Sequence, residues 1–326
     1  MTLSIIIVNY KTPRLVLDCI SSIDLPSTFN IEIIVVDNFS EDGLESLLKD
    51  QFSKVSFIQM GYNAGFARAN NKGIKASNGE VVLLLNSDTI VENNAINNCF
   101  SEFINSTYVA CGVQLLNIDR TPQISGNYAM KGGLNYLLPL PYVGKALKFV
   151  ADILKVKKPN VPDASGVVEV DWINGAFLMV KKIAFDKAGL LDEDFFLYAE
   201  EAEWCNRLKK HGKLCIYGDY KVVHLQGATS AEAFDSEGKG YFNLFDKRGL
   251  QIIVSNFLRI RKEFGLMWFL IDLFFYIITI PVFLLIVPFS SKYSFKQWKG
   301  YNKNVFALIG LSGKMIANKP HFYKVL

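Results

Sequence analysis

The segment Leu3-Ser-Ile-Ile-Ile-Val-Asn9 is a short, almost purely aliphatic run that ends at an asparagine. Three further runs of this kind follow along the chain: Ile31–Val36, Val55–Ile58 and Val81–Leu85. Stretches with helical period separate them: Pro13–Ile23, Glu41–Leu48 and Gly65–Ala76. Continuous apolar runs that alternate with helices are typical of parallel strands covered on both faces. Roughly the first 115 residues therefore predict an open α/β sheet with right-handed crossovers.

Three of these four runs end in polar residues: Asn9-Tyr10, Asp37-Asn38 and Asn86-Ser87-Asp88. An open α/β sheet binds its ligand at the carboxyl ends of the strands, where the strand order reverses. No Gly-x-Gly-x-x-Gly follows the first run, and no Gly-x-x-x-x-Gly-Lys-[Ser/Thr] occurs, so neither a dinucleotide cofactor nor a P-loop NTPase is expected. We expect these polar tips to form the ligand site.

The composition sets limits on the class of protein. Half of the 326 residues are hydrophobic, only 20% are charged, and the mean hydropathy is +0.20, which excludes a disordered chain. The net charge of +4 is too balanced to indicate a nucleic-acid-binding protein, although it is compatible with an anionic membrane surface. The five scattered cysteines form no metal-ligand spacing and are typical of reduced core residues. The amino-terminal residues lack the basic region of a secretory signal peptide.

The pattern divides the chain into two predicted regions. Residues 1–240 form the α/β domain, and within it residues 117–167 are rich in proline and glycine and predict a flexible insertion or lid. A basic helical fragment near Lys145–Lys158 lies in this insertion. Residues 241–326 predict a helical carboxyl-terminal region.

The carboxyl-terminal region contains a long apolar segment, Phe264–Phe289. Its part Leu273–Ser291 has no charged residue and would be about 28 Å long as a helix, roughly one hydrocarbon thickness. Pro281 and Pro288 interrupt it, and lysines and arginines flank both ends, so the positive-inside rule gives no orientation. We expect a segment associated with the cytoplasmic face of the membrane, as a peripheral, re-entrant or single-span element. A buried helix hairpin in a soluble core is the alternative.

Two carboxylates at strand ends are candidates for ligand binding. Asp37 can accept a hydrogen bond from a nucleobase N–H, or it can cap the helix that follows. Asp88 with its small neighbour Ser87 suits a hard divalent cation on a diphosphate, because Mg²⁺ and Mn²⁺ take only one or two protein carboxylates. The alternative for Asp88 is an Asx turn. The stretch Asn63–Gly73 joins a strand to a helix whose amino terminus could receive an anion, helped by Arg68.

An acidic cluster follows near residue 200, in a helix predicted over Phe195–His211. Glu200 and Glu203 share a helical face, whereas Glu201 points about 100° away. The aromatic frame around the cluster favours a carboxylate whose pKa is raised enough to act as a general base. The alternative is a solvated first turn that the helix dipole favours. His224 ends another apolar run and is either a satisfied core histidine or a ligand.

Taken together and in this order, these segments resemble the family 2 inverting glycosyltransferases, and among them the rhamnosyltransferase-like group. The matching pieces cover about residues 1–230: Ser4-Ile-Ile-Ile-Val-Asn-Tyr-Lys, Val35-Val-Asp-Asn-Phe-Ser-Glu-Asp-Gly, Asn63-Ala-Gly-Phe-Ala-Arg-Ala-Asn-Asn-Lys-Gly, Leu84-Leu-Asn-Ser-Asp, Trp172-Ile-Asn-Gly-Ala, Leu191-Asp-Glu-Asp-Phe-Phe-Leu-Tyr-Ala-Glu-Glu and Val223-His-Leu-Gln-Gly.

The resemblance implies a GT-A fold, a nucleotide-sugar donor and a Mg²⁺ or Mn²⁺ ion. By position, Asp37 would meet the nucleobase, Asp88 would end the DxD-type metal motif, and His224 would approach the metal or diphosphate. Glu201 falls where the family has its catalytic Asp and would be the base. The matched motifs also assign donor-binding residues: Asn9, Asp37, Asn63, Arg68, Asn86, Trp172 and Gly175.

Two departures from the family pattern affect these roles. The family's Glu-Asp-x-Asp reads Glu200-Glu201-Ala202-Glu203 here, which leaves Glu200 open as the base in place of Glu201. Asn86 replaces the first carboxylate of the DxD form, so the metal would have fewer protein charges around it.

The resulting prediction is a metal-dependent inverting glycosyltransferase of cell-surface polysaccharide synthesis. Its donor would be of the dTDP-rhamnose or UDP-sugar type, and its acceptor a glycan or lipid-linked glycan at a membrane surface. The alternatives are a sugar nucleotidyltransferase, which would normally have a Gly-rich basic loop after the first strand, and a non-catalytic nucleotide-sugar-binding subunit. The oligomeric state stays open, a homo-oligomer included.

Overall fold

The amino-terminal aliphatic run forms the central strand β1 (Thr2–Asn9). β2 (Asn30–Asp37) and β4 (Val81–Asn86) lie parallel to it on either side, and β3 (Ser56–Gln59) extends the sheet beyond β2. Successive side chains of β1 point to opposite faces, and Ile5, Ile6 and Ile7 are all fully buried. Both faces are therefore covered, which explains why this run is continuously apolar and not alternating.

This computed structural model describes residues 1–24, 29–128, 132–156, 160–225 and 243–326. They belong to two compact units: the first holds residues 1–129, 159–193 and 201–233, and the second holds 130–158, 194–200 and 234–326. Gln226 and Gly227 of the last predicted motif, and Lys157 and Lys158 of the basic fragment, lie outside the described residues.

The remaining strands belong to the first unit: β5 (Thr89–Val91), β6 (Ala110–Leu116), β7 (Gly126–Asn127), β8 (Asn160–Val161), β9 (Val167–Val170), β10 (Trp172–Ile173), β11 (Phe177–Lys181) and β12 (Leu214–His224). Among the described residues the main sheet has nine strands in the order β3-β2-β1-β4-β11-β6-β12-β5, with β9 paired to β12. The half containing β1 is parallel throughout, and β11 runs antiparallel between β4 and β6. The predicted α/β sheet flanked by helices is confirmed.

The described helices are α1 (Pro13–Ser21), α2 (Leu44–Gln51), α3 (Gly65–Ala76), α4 (Ala95–Ile104), α5 (Val143–Ile153), α6 (Lys182–Ala188), α7 (Glu200–Leu208), α8 (Lys247–Glu263), α9 (Gly265–Ile286) and α10 (Phe295–Ile316). In the first unit, Ile5 and Ile7 of β1 share a buried cluster with Val16 of α1 and Phe100 of α4. Helix α3 packs on the opposite face. A Cβ at its Gly73 would lie 2.6 Å from Ile6, so glycine permits this close approach.

In the second unit, α8, α9 and α10 pack on one another. The ring of Phe257 in α8 lies 5.4 Å from Phe269 and 4.9 Å from Tyr276, both in α9. The Tyr301 hydroxyl in α10 donates to the Tyr276 carbonyl at 2.8 Å. The buried residues of α9 recur every three or four positions, which defines one packed face: Phe269, Asp272, Tyr276, Thr279 and Phe283.

Helix α9 is the predicted apolar segment, and it runs unbroken through Pro281 before ending in a 3₁₀ turn at Val287–Phe289. In the described part of the chain, residues 265–289 make one helical segment long and apolar enough to cross a membrane, by length and composition. Only 28% of its apolar window is buried, and the exposed face includes Phe274 and Leu285. A helix buried on all sides, as in a soluble core hairpin, does not describe this segment.

Candidate active site

The first group of predicted residues lies where β1 and β2 end. Asn9 and Asp37 are paired in register, and both are buried. The Asn9 amide donates to Asp37 Oδ1 at 2.7 Å, and Asp37 Oδ2 accepts from the Ser40 backbone N–H at 2.9 Å and from Gln59 at 2.8 Å. Asp37 does not cap a helix, because α2 begins seven residues later, at Leu44. These bonds orient a buried carboxylate at the carboxyl edge of the sheet.

Helix α3 begins beside this pair. Asn63 Oδ1 accepts from the Asn38 amide at 3.0 Å and from the Gly65 N–H at 3.2 Å, so it joins the end of β2 to the start of the helix. Arg68 Nε donates to the Glu193 carbonyl at 3.1 Å. Arg68 thus holds the chain ahead of the acidic cluster, a contact that the sequence did not reveal.

Asn71 holds the same chain segment and was missed as a contributor to the site. Its amide donates to the Leu191 carbonyl at 2.8 Å, and its Oδ1 accepts from the Leu191 N–H at 3.0 Å. This two-way pairing explains an asparagine inside a helix, where it would otherwise be unfavourable. An asparagine within a helix that follows a glycine-rich turn was the signal that the sequence offered. The sequence could not identify its partner, which is 120 residues away.

Asp88 and His224 lie together at the end of the sheet, because β5 and β12 pair antiparallel with His224 opposite Thr89. Both side chains are buried, and Nε2 of His224 is 3.4 Å from Oδ1 of Asp88. The Leu225 N–H donates to the Asp88 carbonyl at 2.9 Å, which fixes the two segments together. The predicted neighbours of a divalent cation are therefore neighbours in the fold.

Gln123 orients the histidine and was also missed from sequence. Its amide nitrogen donates to the His224 carbonyl at 2.7 Å, so its Oε1 faces His224 Nδ1 at 3.0 Å and assigns the ring proton to Nδ1. Nε2, on the other side of the ring, faces the Asp88 carboxylate. An imidazole nitrogen with a free lone pair and a carboxylate are both groups that bind metal ions.

Asn86 supplies a further acceptor at this edge. Its Oδ1 is buried and has no hydrogen-bond partner among the described residues. An oxygen of this kind normally has a partner when it is buried. The carboxylate and amide oxygens of this set fit Mn²⁺ or Mg²⁺. No group of three or more His, Cys, Asp or Glu side chains suited to a metal occurs in the part of the chain described.

The turn Trp172–Ala176 connects Asn86 to the acidic helix. The Asn86 N–H donates to the Ala176 carbonyl at 3.0 Å. A Cβ at Gly175 would lie 3.2 Å from Cγ of Glu201, so this glycine and the glutamate are in close proximity. Trp172 pairs with Asn127, and its indole N–H is buried without a partner among the described residues. The predicted Asn86 therefore bonds to the residue after Gly175, and Gly175 lies beside Glu201, all within the first unit.

The three glutamates of α7 have different surroundings. Glu203 accepts two hydrogen bonds from Arg207, each 2.8 Å long, and Arg207 also donates to the carbonyls of Ala188 and Leu190. This network makes Glu203 a structural residue. Glu201 lies in the first unit beside Gly175, whereas Glu200 belongs to the second unit. All three side chains are buried, so the alternative of a solvated helical turn does not apply.

Helix α7 is shorter than the predicted helix over Phe195–His211, and the backbone before it explains why. Tyr198 and Ala199 have positive φ angles of 72° and 67°, which are unfavourable for residues with a Cβ and end any continuous helix. In the second unit, α8 holds this strained segment: Arg248 donates to the Tyr198 hydroxyl at 2.8 Å, and Ser255 donates to the Leu197 carbonyl at 2.7 Å. Strain that surrounding contacts maintain is typical of functional sites.

These features define the class of protein: a GT-A-type α/β fold whose polar residues gather at the carboxyl edge of the sheet. Residues 4–167 match the Glycosyl transferase family 2 model, which is half of the chain, so the chain belongs to glycosyl transferase family 2. The resemblance noted from the sequence motifs is thereby confirmed.

Two relatives illustrate the family. A low-salt glycan biosynthesis hexosyltransferase of Haloferax volcanii is 30% identical over 217 residues, which cover 64% of this chain and 62% of that protein. A dTDP-rhamnosyl transferase of Shigella flexneri is 27% identical over 207 residues, 62% of each chain. The matched region thus spans about 62% of the length of each relative.

A solved structure gives the same fold over nearly the whole chain. The mannosyltransferase PcManGT from Pyrobaculum calidifontis, in complex with GDP-Man and Mn²⁺, superposes with a TM-score of 0.52. The superposition covers 97% of this chain and 87% of that one, at 14% sequence identity. At this identity the likeness establishes the fold.

Proposed function

We propose that this chain is an inverting, metal-dependent glycosyltransferase that moves a sugar from a nucleoside diphosphate to a hydroxyl of a glycan or lipid-linked glycan. The observation that supports this most directly is the arrangement in the first unit. Asp88 and His224 face each other, the unpartnered Oδ1 of Asn86 adjoins them in the chain, and the Trp172–Ala176 turn leads from Asn86 to Glu201.

The donor half of the site lies at the ends of β1 and β2 in this proposal. Asp37 accepts an N–H from the nucleobase, and Asn9 holds the Asp37 carboxylate in place. Asn63 orders the start of α3, whose backbone N–H groups favour an anion. The name of the Shigella relative supports dTDP-rhamnose as a donor, and a UDP sugar is the other candidate.

Asp88 and His224 would hold the divalent cation, with Asn86 Oδ1 as an additional oxygen. When bound, the cation stabilises the charge of the departing diphosphate by several kcal/mol. Gln123 keeps the proton on His224 Nδ1, so that Nε2 stays available as a ligand. Asp88 would bind the cation directly, whereas Gln123 would act only by orienting His224.

Glu201 serves as the general base. Its carboxylate accepts the proton of the acceptor hydroxyl while that oxygen bonds to the anomeric carbon and the bond from that carbon to the diphosphate oxygen breaks. Attack from the face opposite the leaving group inverts the anomeric configuration. A positioned base contributes about 10²–10⁴ in rate, and no covalent intermediate is required. Glu200 remains the alternative base, in the second unit.

The donor site is tested by thermal unfolding with a panel of nucleoside diphosphates and nucleotide sugars, with and without Mn²⁺ or Mg²⁺. A ligand at 100 times its Kd stabilises a protein by about 2.7 kcal/mol, equivalent to a rise of about 5–10 °C in Tm for a domain of this size. We expect this rise with a thymidine or uridine diphosphate and a divalent cation. Asp88→Asn should abolish it, whereas Asp50→Asn, at an exposed position of α2, should not.

His224→Gln provides a second variant, in case Asp88→Asn unfolds the protein. Indifference of the wild-type protein to every nucleotide would refute the proposal. Nucleotide binding without sugar transfer to any hydroxyl would leave the non-catalytic subunit, and release of pyrophosphate from a nucleoside triphosphate would favour the nucleotidyltransferase.

The proposal also includes contact of α9 with the cytoplasmic face of a membrane. On the apolar face of this helix, Phe274 is 59% exposed and Leu285 is 71% exposed. An exposed apolar face of this kind is suited to a membrane surface, where a lipid-linked acceptor would be found. Removing residues 264–326 would be a poor test, because it would also remove contacts within the second unit. For example, the His321 N–H donates to the Asp194 carboxylate at 3.0 Å.

A sharper test replaces exposed residues only. The double variant Phe274→Ser, Leu285→Ser should reduce flotation with phosphatidylcholine–phosphatidylglycerol vesicles more than about tenfold, because each substitution removes apolar surface that would otherwise be buried in the lipid. Ile183→Ser in α6 removes a side chain that is 63% exposed in the first unit and serves as the matched control. Equal flotation of all variants would contradict membrane contact by α9.

A further inference from the structure

Helix α5 leaves nearly all of its surface uncovered. Of its residues, only Gly144 is buried. Phe149 is 67% exposed, Val150 50% and Ile153 62%, although these are large apolar side chains. Exposed apolar residues that occur singly are normal, but a contiguous set on one helix indicates a surface that contacts something else.

The apolar and charged residues of α5 lie on opposite sides. Around the helix axis Ile153 lies about 40° and Val150 about 100° from Phe149, so the three form one face. Lys148 and Asp152 lie on the other face, and Lys145, four residues before Phe149, lies at the border between the two faces. The helix is therefore amphipathic, with its apolar face turned to the outside of the second unit and not to its core.

The charges favour an anionic bilayer as the occupant of this face. Residues 143–156 contain three lysines, at 145, 148 and 155, against one acid, Asp152. Lysine is depleted at the core of protein–protein interfaces, whereas lysines that border an apolar helical face are typical of helices lying in a membrane interface. Their long side chains can keep the ammonium groups at the lipid headgroups while the apolar residues enter the acyl region.

The start of α5 is fixed to α9 within the second unit. The ring of Tyr142, the residue before α5, lies 6.0 Å from Phe283 of α9 and 5.6 Å from Tyr293, which precedes α10. Phe283 belongs to the buried face of α9, so α5 emerges from the packed part of this helix. The start of α5 therefore has a fixed position relative to α9.

We propose that α5 is a second membrane-binding element, which lies in the plane of an anionic bilayer and inserts Phe149, Val150 and Ile153 between the lipid headgroups. It extends the membrane contact proposed above for α9 and does not depend on sugar transfer. In this arrangement the predicted insertion of residues 117–167 contains a membrane anchor and not a lid.

The full-length chain allows a direct test, because its five cysteines are all buried. Burial raises the pKa of the Cys19 thiol to about 12, so that it reacts slowly at neutral pH. Phe149→Cys on the apolar face and Lys148→Cys on the charged face can each be labelled with a nitrobenzoxadiazole dye. Wild-type protein treated with the same reagent measures the background.

With phosphatidylcholine–phosphatidylglycerol vesicles we expect the emission of the dye at position 149 to rise severalfold, to shift to the blue and to be quenched by spin-labelled lipid. The dye at position 148 should stay in water. Lys145→Gln in the Phe149→Cys protein should weaken vesicle binding about fivefold, the effect of one lysine near an anionic surface. Raised salt should weaken it further.

Other outcomes overturn the proposal. A dye at position 149 that ignores vesicles while α9 still mediates flotation shows that α5 is not an anchor, although the membrane contact of α9 stands. A response to nucleoside diphosphate without vesicles identifies a lid, and a response to protein concentration identifies a second copy of the chain as the occupant. The nucleotide-binding assay is independent of all these outcomes.

Discussion

The two ends of β1 carry similar chemical pairs with different consequences. At the amino end Ser4 is in register with Glu32 and donates to its carboxylate, and at the carboxyl end Asn9 is in register with Asp37 and does the same. The Ser4 hydroxyl also accepts from the Gly79 N–H at 2.8 Å, and Glu32 accepts from the Asn78 N–H at 2.6 Å. The polar groups at the amino end therefore satisfy one another where the chain turns into β4.

The carboxyl end gathers polar groups beyond those needed to close a turn. Asp88 and His224 face each other there, and the buried Oδ1 of Asn86 lacks a partner among the described residues. The comparison teaches that a polar pair at a strand end is no sign of a site by itself. What distinguishes the end that we propose as the site is a buried acceptor, Asn86 Oδ1, that nothing in the described fold satisfies.

The largest expected effect is a loss of catalytic turnover that occurs only for a substitution at the proposed site and not at the amino end of β1. Glu201→Gln should lower the turnover of sugar transfer by about 10²–10⁴, because the amide cannot accept the proton of the acceptor hydroxyl. Glu32→Gln should leave the turnover per folded molecule unchanged. Steady-state kinetics with donor binding measured in parallel checks both variants, and full turnover in Glu201→Gln would transfer the role of base to Glu200.

A matched pair of glycine variants, one at each end of β1, should give effects of intermediate size. At Gly175 a Cβ would lie 3.2 Å from the side chain of Glu201, so Gly175→Ala should displace the carboxylate slightly and lower turnover about tenfold, with little change in Tm. At Gly79 a Cβ would lie 2.4 Å from the Ser4 hydroxyl and 2.7 Å from the Val81 carbonyl.

Gly79→Ala should therefore lower the free energy of unfolding by about 1–3 kcal/mol and leave the turnover of the folded fraction intact. Thermal unfolding and kinetics on the same samples distinguish the two variants. A loss of activity per folded molecule in Gly79→Ala, or an unstable but fully active Gly175→Ala, would reverse the assignment of the two ends.

The smallest expected effect is the pH dependence of stability at the amino end. Partial burial of Glu32 opposes its ionisation, but hydrogen bonds from Ser4, Asn78 and Gly79 outweigh burial and lower its pKa. The ionised carboxylate therefore stabilises the fold fully above its unfolded pKa of about 4.3, and this contribution is lost as the pH falls through the lower folded pKa.

Comparing urea unfolding of the wild type with Glu32→Gln should show a difference of no more than about 1 kcal/mol at neutral pH, since Glu32 is half-exposed. This difference should vanish in acid below the folded pKa. A difference that grows as the pH falls would show that the protonated form is the one that the fold favours.

Some predictions depended on local patterns and were reliable for that reason. The first four strands lie where the aliphatic runs predicted them, because continuous apolar character reports burial on both faces of a strand. The helix predicted over Phe195–His211 was too long. Its aromatic residues suit a helix, but the positive φ angles at Tyr198 and Ala199 are maintained by Arg248 and Ser255, which are remote in sequence.

The amino-acid sequence by itself determined the class of fold and the residue types at the strand ends, since apolar periodicity and the residues that end each run are local properties. Only the tertiary structure decided which of those residues meet. Asn71 pairs with Leu191, Gln123 orients His224, and Glu203 pairs with Arg207. The physical reason is that a buried polar side chain acquires its role from the partner that satisfies it, and most of these partners are brought close only when the sheet assembles.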